Sequence, residues 1–483
     1  MPFADVSMER LLQFEDRYGP SLMEWKADGL HLWPGMRTGL FMRIRERSLG
    51  LEQAHGGAFS GGRGRLLRRM AGSILAPGRN PYGSLPEADM AFLTNAAKRS
   101  WKRDGRNFDT GSDYFCSLLD GRGLILEEPY QGGHRPPEYT REIRYLDLAM
   151  LAGRVRAALP GSGRPAGTEA FVEEVRRCLE EFFPGADFLP EILKGYPLSL
   201  ARMLCYSGEF GKIVRRSGCR VASIHRCAYG GACAFLAKRL RDGGITVAEF
   251  QHGTVSPEHP AYNYGTLPPG YAGYLPDYFL TYGDYWSEIT ARYPVKKVAV
   301  GNPFLEERLK AFPPDAGRGK RILVVSQGTL SSGFAALARD LRRLLPGEYA
   351  LTFRLHPGEV PFRKSRFGEI EGVPGLEIQE TGDVYSAIGE HGVIVGAYST
   401  TIFEALPFGR RIFVWDTEMS RRHIPGDVGR WFRGAGDLAA MILSGEAGPG
   451  TDSRRYWAGG WEDRFRDFVR SAAGSAPRAQ RKG

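Results

Sequence analysis

Four stretches decide the fold: Arg321–Ser326 (RILVVS), Tyr349–Leu355 (YALTFRL), Val393–Gly396 (VIVG) and Arg411–Trp415 (RIFVW). Each is a short apolar run bounded by polar turns, the pattern of a strand buried on both faces. Helical stretches near 332–345, 384–391 and 401–408 lie between them. Strand–helix units of this length predict a parallel sheet with helices on its faces. The same alternation runs less cleanly upstream. Strands are expected at Met90–Asn95, Gly123–Glu127, Val221–His225, Val247–Phe250, Tyr278–Tyr282 and Val298–Val300, and helices over 141–160, 168–183 and 230–241. A chain of 483 residues is too long for one ordinary core. The prediction is therefore an α/β protein of two Rossmann-like domains whose parallel sheets face a central cleft. The boundaries are 1–305, with a helical N-terminal extension; 306–445; and 446–483, a helix packing back on the first domain followed by a basic tail. Pro, Gly and charge concentrate at 301–320, which marks the junction. The Gly- and Arg-rich segment 56–74 reads as mobile, and the last residues, SAPRAQRKG, read as disordered.

Composition narrows the class. Apolar residues at 42% and aromatics at 12% fit a folded globular chain rather than a disordered one. The net charge of +10 favours anionic partners such as nucleotide phosphates, acidic sugars or anionic lipid. Basic residues are spread along the chain and no nucleic-acid motif is present, so nucleic-acid binding is not expected. The six cysteines form no Cys-x-x-Cys pair, which fits a reducing compartment. The N-terminus has no apolar core of a signal peptide, and no uncharged run reaches the ~20 residues that span a bilayer. The expectation is a cytoplasmic protein, with peripheral contact to an anionic membrane as a further expectation.

Ligands in open parallel sheets sit beyond the carboxyl ends of the strands, so the polar residues that follow strands are the candidates. After VAEF come Gln251, His252 and Gly253, with Glu258, His259 and Tyr262 further along the loop. A histidine on such a loop can act as a general base. After the strand at 349–355 come Arg354, His356 and Pro357, where an imidazole can donate to a phosphate oxygen. Tyr398, Ser399 and Thr400 open a helix that carries Glu404, and hydroxyls with free amides at a helix start suit an anion. Ser326, Gln327 and Gly328 form a strand-to-helix turn that can cradle phosphates. The dinucleotide and P-loop glycine patterns are missing, as are a clustered Cys/His set and a G-x-S-x-G elbow. No metal and no cofactor is expected.

As a set, His356-Pro357 and Ser399-Thr400 resemble the His-Pro and Ser/Thr motifs of GT-B transferases of bacterial surface carbohydrate synthesis. That group includes sialyltransferases, polysialyltransferases, capsule Kdo transferases and the polymerases that use CDP-glycerol. In those families both motifs bind the phosphate of a cytidine nucleotide, and an acidic-acidic-Gly motif supplies the base. Here Gln251-His252-Gly253 stands at the matching place, with no acid.

The resemblance implies a glycosyltransferase that moves a sugar from a nucleotide donor, CMP-Kdo or CMP-sialic acid, to a surface polysaccharide or lipid-linked glycan. His252, Gln251 and His259 would be catalytic, with Glu258 and Tyr262 at the acceptor. Ser326, Gln327, Gly328, Arg354, His356, Pro357, Tyr398, Ser399, Thr400 and Glu404 would hold the donor. Two alternatives share the layout: an enzyme like the UDP-sugar 2-epimerases, which needs acidic residues near the sugar and no acceptor, and a non-catalytic glycan-binding protein.

Overall fold

The computed structural model describes residues 6–48, 76, 78–159, 167–312, 319–445 and 450–475. The glycine-rich segment 56–74 and all but the first residue of SAPRAQRKG lie outside them.

Two wholly parallel sheets form the frame, as the strand–helix alternation predicts. The first has seven strands in the order Lys296–Ala299, Tyr278–Thr281, Thr246–Phe250, Val221–Ile224, Met90–Asn95, Gly123–Glu128, Ile143–Tyr145. The second has six, in the order Leu376–Gln379, Ala350–Arg354, Arg321–Val325, Val393–Gly396, Arg411–Trp415, Arg430–Phe432. The central strands Val221–Ile224 and Val393–Gly396 are buried along their whole length and their neighbours everywhere but at their ends, which is why they read as continuous apolar runs.

Helices cover the faces. Trp461–Ser475 lays Phe465 and Phe468 on the first sheet, beside Phe250 and Tyr278. Just before it, residues 456–458 join both halves. The Ala458 amide donates to the carbonyl of Tyr282 (2.8 Å), and the Trp457 indole donates to the carbonyl of Phe403 (2.8 Å). The N-terminal residues form helices Met8–Leu22 and Trp33–Ser48 around a small hairpin, and both helices belong to the core of the first domain.

Two expectations differ from the structure. The helix expected over 141–160 begins only at Asp147, because Ile143–Tyr145 first adds an edge strand to Gly123–Glu128. Tyr196–Arg216, a helix of 21 residues, was not singled out; Pro197 in its first turn is the signal that could have placed its start.

Gly283 follows the strand Tyr278–Thr281 with extended backbone, and it lies against the 456–458 segment. A Cβ there would sit 2.6 Å from the Arg455 carbonyl oxygen and from the Tyr456 carbonyl. Backbone cannot step aside as a flexible side chain can. Gly283→Ala should therefore destabilise the protein by about 1–3 kcal/mol, read as a lower urea midpoint.

Candidate functional site

The strand Thr246–Phe250 ends in a turn clamped by Gln251. This side chain is buried. Its Oε1 accepts from the Tyr282 amide (2.9 Å) and its Nε2 donates to the Gly253 carbonyl (2.9 Å). Both ends of the carboxamide are used, so Gln251 shapes the turn rather than reaching into the cleft for chemistry. An ionised glutamate could not donate to Gly253, which gives a physical reason for the amide here.

The turn presents His252 to a cavity of about 350 Å³ between the two domains. His225, from the end of the neighbouring strand, lies 5.1 Å away between ring centroids. Lys98 and Asp109 complete this wall; Thr400 and Glu404 face it from the second domain. Thr400 also touches Thr254 through their hydroxyls, so the two walls meet at that point.

Burial sets the protonation of the site. It pushes His252 down to about 2 and His225 down to about 3, with the nearby cations Lys98 and Arg226 adding to the effect. Both imidazoles are neutral at pH 7, and Nδ1 of His252 is buried without a partner. The two cavity carboxylates differ. Asp109 accepts from the Thr94 and Ser112 hydroxyls (both 2.8 Å) and from the amides of Gly111 (2.8 Å) and Ser112 (3.3 Å), which occupies both of its oxygens. Glu404 accepts only from the Tyr385 hydroxyl (3.0 Å) among the described residues. Burial raises its carboxyl to about 7, and Asp383 adds to the rise. Glu404 can therefore give or take a proton near neutrality.

The other expected residues lie around this cavity rather than in it. His259 accepts the Ala261 amide at Nδ1 (3.2 Å), so Nε2 carries the proton and donates to the Tyr229 hydroxyl (3.0 Å). Glu258 pairs with Arg45 (2.8 Å), and Tyr262 is buried with its hydroxyl on Glu249 (3.0 Å). In the second domain, the His356 and Pro357 side chains are exposed beyond their strand. Glu359, which the sequence reading passed over, gathers this end of the sheet. It accepts from the Ser326 and Ser331 hydroxyls (3.0 and 2.6 Å) and from the His356 amide (2.8 Å). Arg354 donates to Gln379 (2.7 Å) and to the Gly382 carbonyl (2.6 Å). Gln327 and Gly328 enter the short turn Gly328–Leu330, Tyr398 meets the Thr329 hydroxyl, and Ser399 caps the helix Thr400–Ala405. His225, Lys98, Asp109 and Tyr385 were also passed over. His225 falls inside the strand expected over Val221–His225; the strand ends one residue earlier, at Ile224, which puts His225 at the strand end.

Among the described residues, no group of three or more His, Cys, Asp or Glu side chains could hold a metal ion. No helix of the described residues is long and apolar enough to cross a membrane.

No family model matches the sequence, and no curated protein matches it. Solved structures do follow a similar course. A protein from Listeria monocytogenes assigned as a UDP-N-acetylglucosamine 2-epimerase matches with a TM-score of 0.47 at 10% identity, covering 81% of this chain and 98% of that one. UDP-GlcNAc 2-epimerase from Methanocaldococcus jannaschii, in complex with UDP-GlcNAc and UDP, matches with a TM-score of 0.43 at 11% identity, over 79% of this chain and 99% of that one. The glycosyltransferase of kitacinnamycin matches with a TM-score of 0.43 at 10% identity, over 81% of this chain and 96% of that one. At these identities the likeness is one of fold. The expectation of a transferase using CMP-Kdo or CMP-sialic acid is corrected here: the similar structures include several UDP-GlcNAc 2-epimerases, which match the epimerase alternative instead.

The buried histidines add a pH dependence to stability. Burial lowers His259 too, to about 4. In the unfolded chain all three would titrate near 6.5, so the stability each contributes is present above pH 6.5 and is lost as the pH falls toward its lowered value. Buried Glu404 and Glu128, raised to about 7, and Glu249, raised to about 8, act in the opposite sense over the same range. The histidine share is read as a difference: the urea midpoint of His225→Gln relative to the parent should rise as the pH is lowered from 7 to 5.

Proposed function

We propose that this protein epimerises a UDP-linked 2-acetamido sugar in the interdomain cavity, with Glu404 as the proton-handling group. The observation that supports this reading is Glu404 itself: a carboxyl raised to about 7, with Tyr385 its one hydrogen-bond partner among the described residues, lining the same cavity as the neutral imidazole of His252 from the opposite domain. Inverting a carbon centre requires removing a proton from one face and returning one to the other. Glu404 on one wall meets the first half of that need, and no acceptor is involved.

The sugar proton at C2 is not acidic by itself. Its removal becomes feasible when the bond from C1 to the nucleotide oxygen breaks at the same time. Glu404 carboxylate takes the C2 proton, the C2–H electrons form the C1=C2 bond, and UDP leaves with the C1–O electrons. Re-addition of UDP at C1, with a proton from water delivered to the opposite face of C2 while Glu404 returns its own proton to solvent, gives the epimer. Lys98 in the same cavity offsets the negative charge of the leaving diphosphate. The imidazoles of His225 and His252, neutral and shielded from water, line the other face.

Incubation with UDP-GlcNAc in D2O, followed by NMR, should show deuterium entering C2 and the manno epimer accumulating. Exchange should slow as the pH falls through about 7, because protonated Glu404 cannot act as base. Glu404→Gln should lower exchange by roughly 100-fold or more while calorimetric UDP binding persists. A bound UDP-sugar that shows no C2 exchange would overturn the proposal.

A further inference from the structure

The first domain has an outer face with an unusual composition. Helices Asp147–Ala158 and Tyr196–Arg216 pack side by side, and Gly153 lets them approach. A Cβ at that position would lie 2.5 Å from the Tyr206 ring. Together they carry six basic residues, Arg154, Arg156, Arg202, Lys212, Arg215 and Arg216, and all six are exposed. Their two acids, Asp147 and Glu209, are both buried. Asp147 faces inward to His134 (2.6 Å). Glu209 is shared by Arg156 (2.9 Å) and Lys212 (2.8 Å), so even this paired group leaves a net positive charge.

An apolar stripe crosses the same face. Leu151, Val155 and Leu159 recur every fourth residue, on one side of the helix and its C-cap, and are 39, 50 and 51% exposed. Tyr82 joins the face through its hydroxyl on Glu209 (2.8 Å) and is 38% exposed. A soluble helix normally turns such residues toward the core.

We infer that this face docks on an anionic phospholipid surface, with Leu151, Val155 and Leu159 entering the headgroup region and the flanking arginines meeting lipid phosphates. Charge complementarity selects this occupant. A nucleic acid would neutralise the cations but leave the stripe in water. A second copy of the chain would cover the stripe but set like charges against like, because a two-fold contact uses the same patch twice. An anionic bilayer accommodates both the apolar and the cationic groups.

The test is co-sedimentation of the full chain with phosphatidylcholine vesicles, with and without phosphatidylglycerol, at low and high salt. Binding is expected only with phosphatidylglycerol and should weaken with salt. Val155→Asp with Leu159→Asp should reduce the bound fraction about tenfold or more, and Arg154→Glu with Arg202→Glu should do the same by a different route. All these positions are exposed, so melting temperatures should not change. Equal binding to both vesicle types, no binding to either, or variants that bind like the parent would overturn the inference. So would a variant that leaves vesicle binding intact but turns a dimer into a monomer by light scattering, which would assign the stripe to a second copy.

Discussion

The Arg37 guanidinium is fully buried, and the first domain is built around it. Its Nε donates to Glu15 Oε1 (2.6 Å); its NH2 donates to Glu15 Oε2 (2.7 Å) and to the Asn263 carbonyl (2.8 Å); its NH1 donates to the Pro260 carbonyl (2.7 Å). A buried charge is tolerated only when its donors are met. Here they are met by two separate parts of the chain: the first helix and the loop after His252. This ties the N-terminal helices to the cleft. From the fixed loop, His259 reaches Tyr229, whose ring lies 5.3 Å from that of His252, and Tyr262 reaches Glu249 at the end of the same strand. The N-terminal residues are therefore part of the wall behind the site, not an appendage.

That dependence was not legible in the sequence. Glu15 and Arg37 look like ordinary surface charges on two helices, and only the fold shows that they meet. The second sheet was legible because the part of a strand buried on both faces must be apolar, as in ILVV after Arg321 and in VIVG. The edge strand Ile143–Tyr145 was not, because three residues beside a helix start leave no such run. At the site, the rule of reading strand ends found His252, and Glu404 came in with the helix that follows a strand. It could not separate residues that face the cavity from those that hold the turns. Gln251, Asp109 and Glu359 are polar residues at strand ends whose hydrogen bonds are spent on the backbone and hydroxyls around them. Chain position alone does not distinguish a satisfied group from a free one.

The two faces of the first domain treat charge in opposite ways. In the cleft, burial removes it: His225 and His252 are neutral, and across from them burial raises the carboxyl of Glu404 in the second domain to about 7. Low local dielectric strengthens the interactions of whatever charge enters, so a leaving diphosphate would feel Lys98 strongly. On the outer helices charge accumulates instead, because Asp147 and Glu209 are drawn inward and their basic neighbours remain outside.

The amide at position 251 bears on where a carboxylate can act. The turn requires a side chain that accepts from Tyr282 and donates to Gly253, which a carboxamide does and an ionised carboxylate cannot. An acid at that position would lose one bond and set its charge beside a carbonyl oxygen. Glu404, whose one partner among the described residues is Tyr385, lies across the cleft on the helix Thr400–Ala405 of the second domain. Proton transfer from a carboxylate therefore depends on the two domains being held together. The Ala458 amide on Tyr282, the Trp457 indole on Phe403 and the contact of Thr254 with Thr400 all act to keep Glu404 opposite His252.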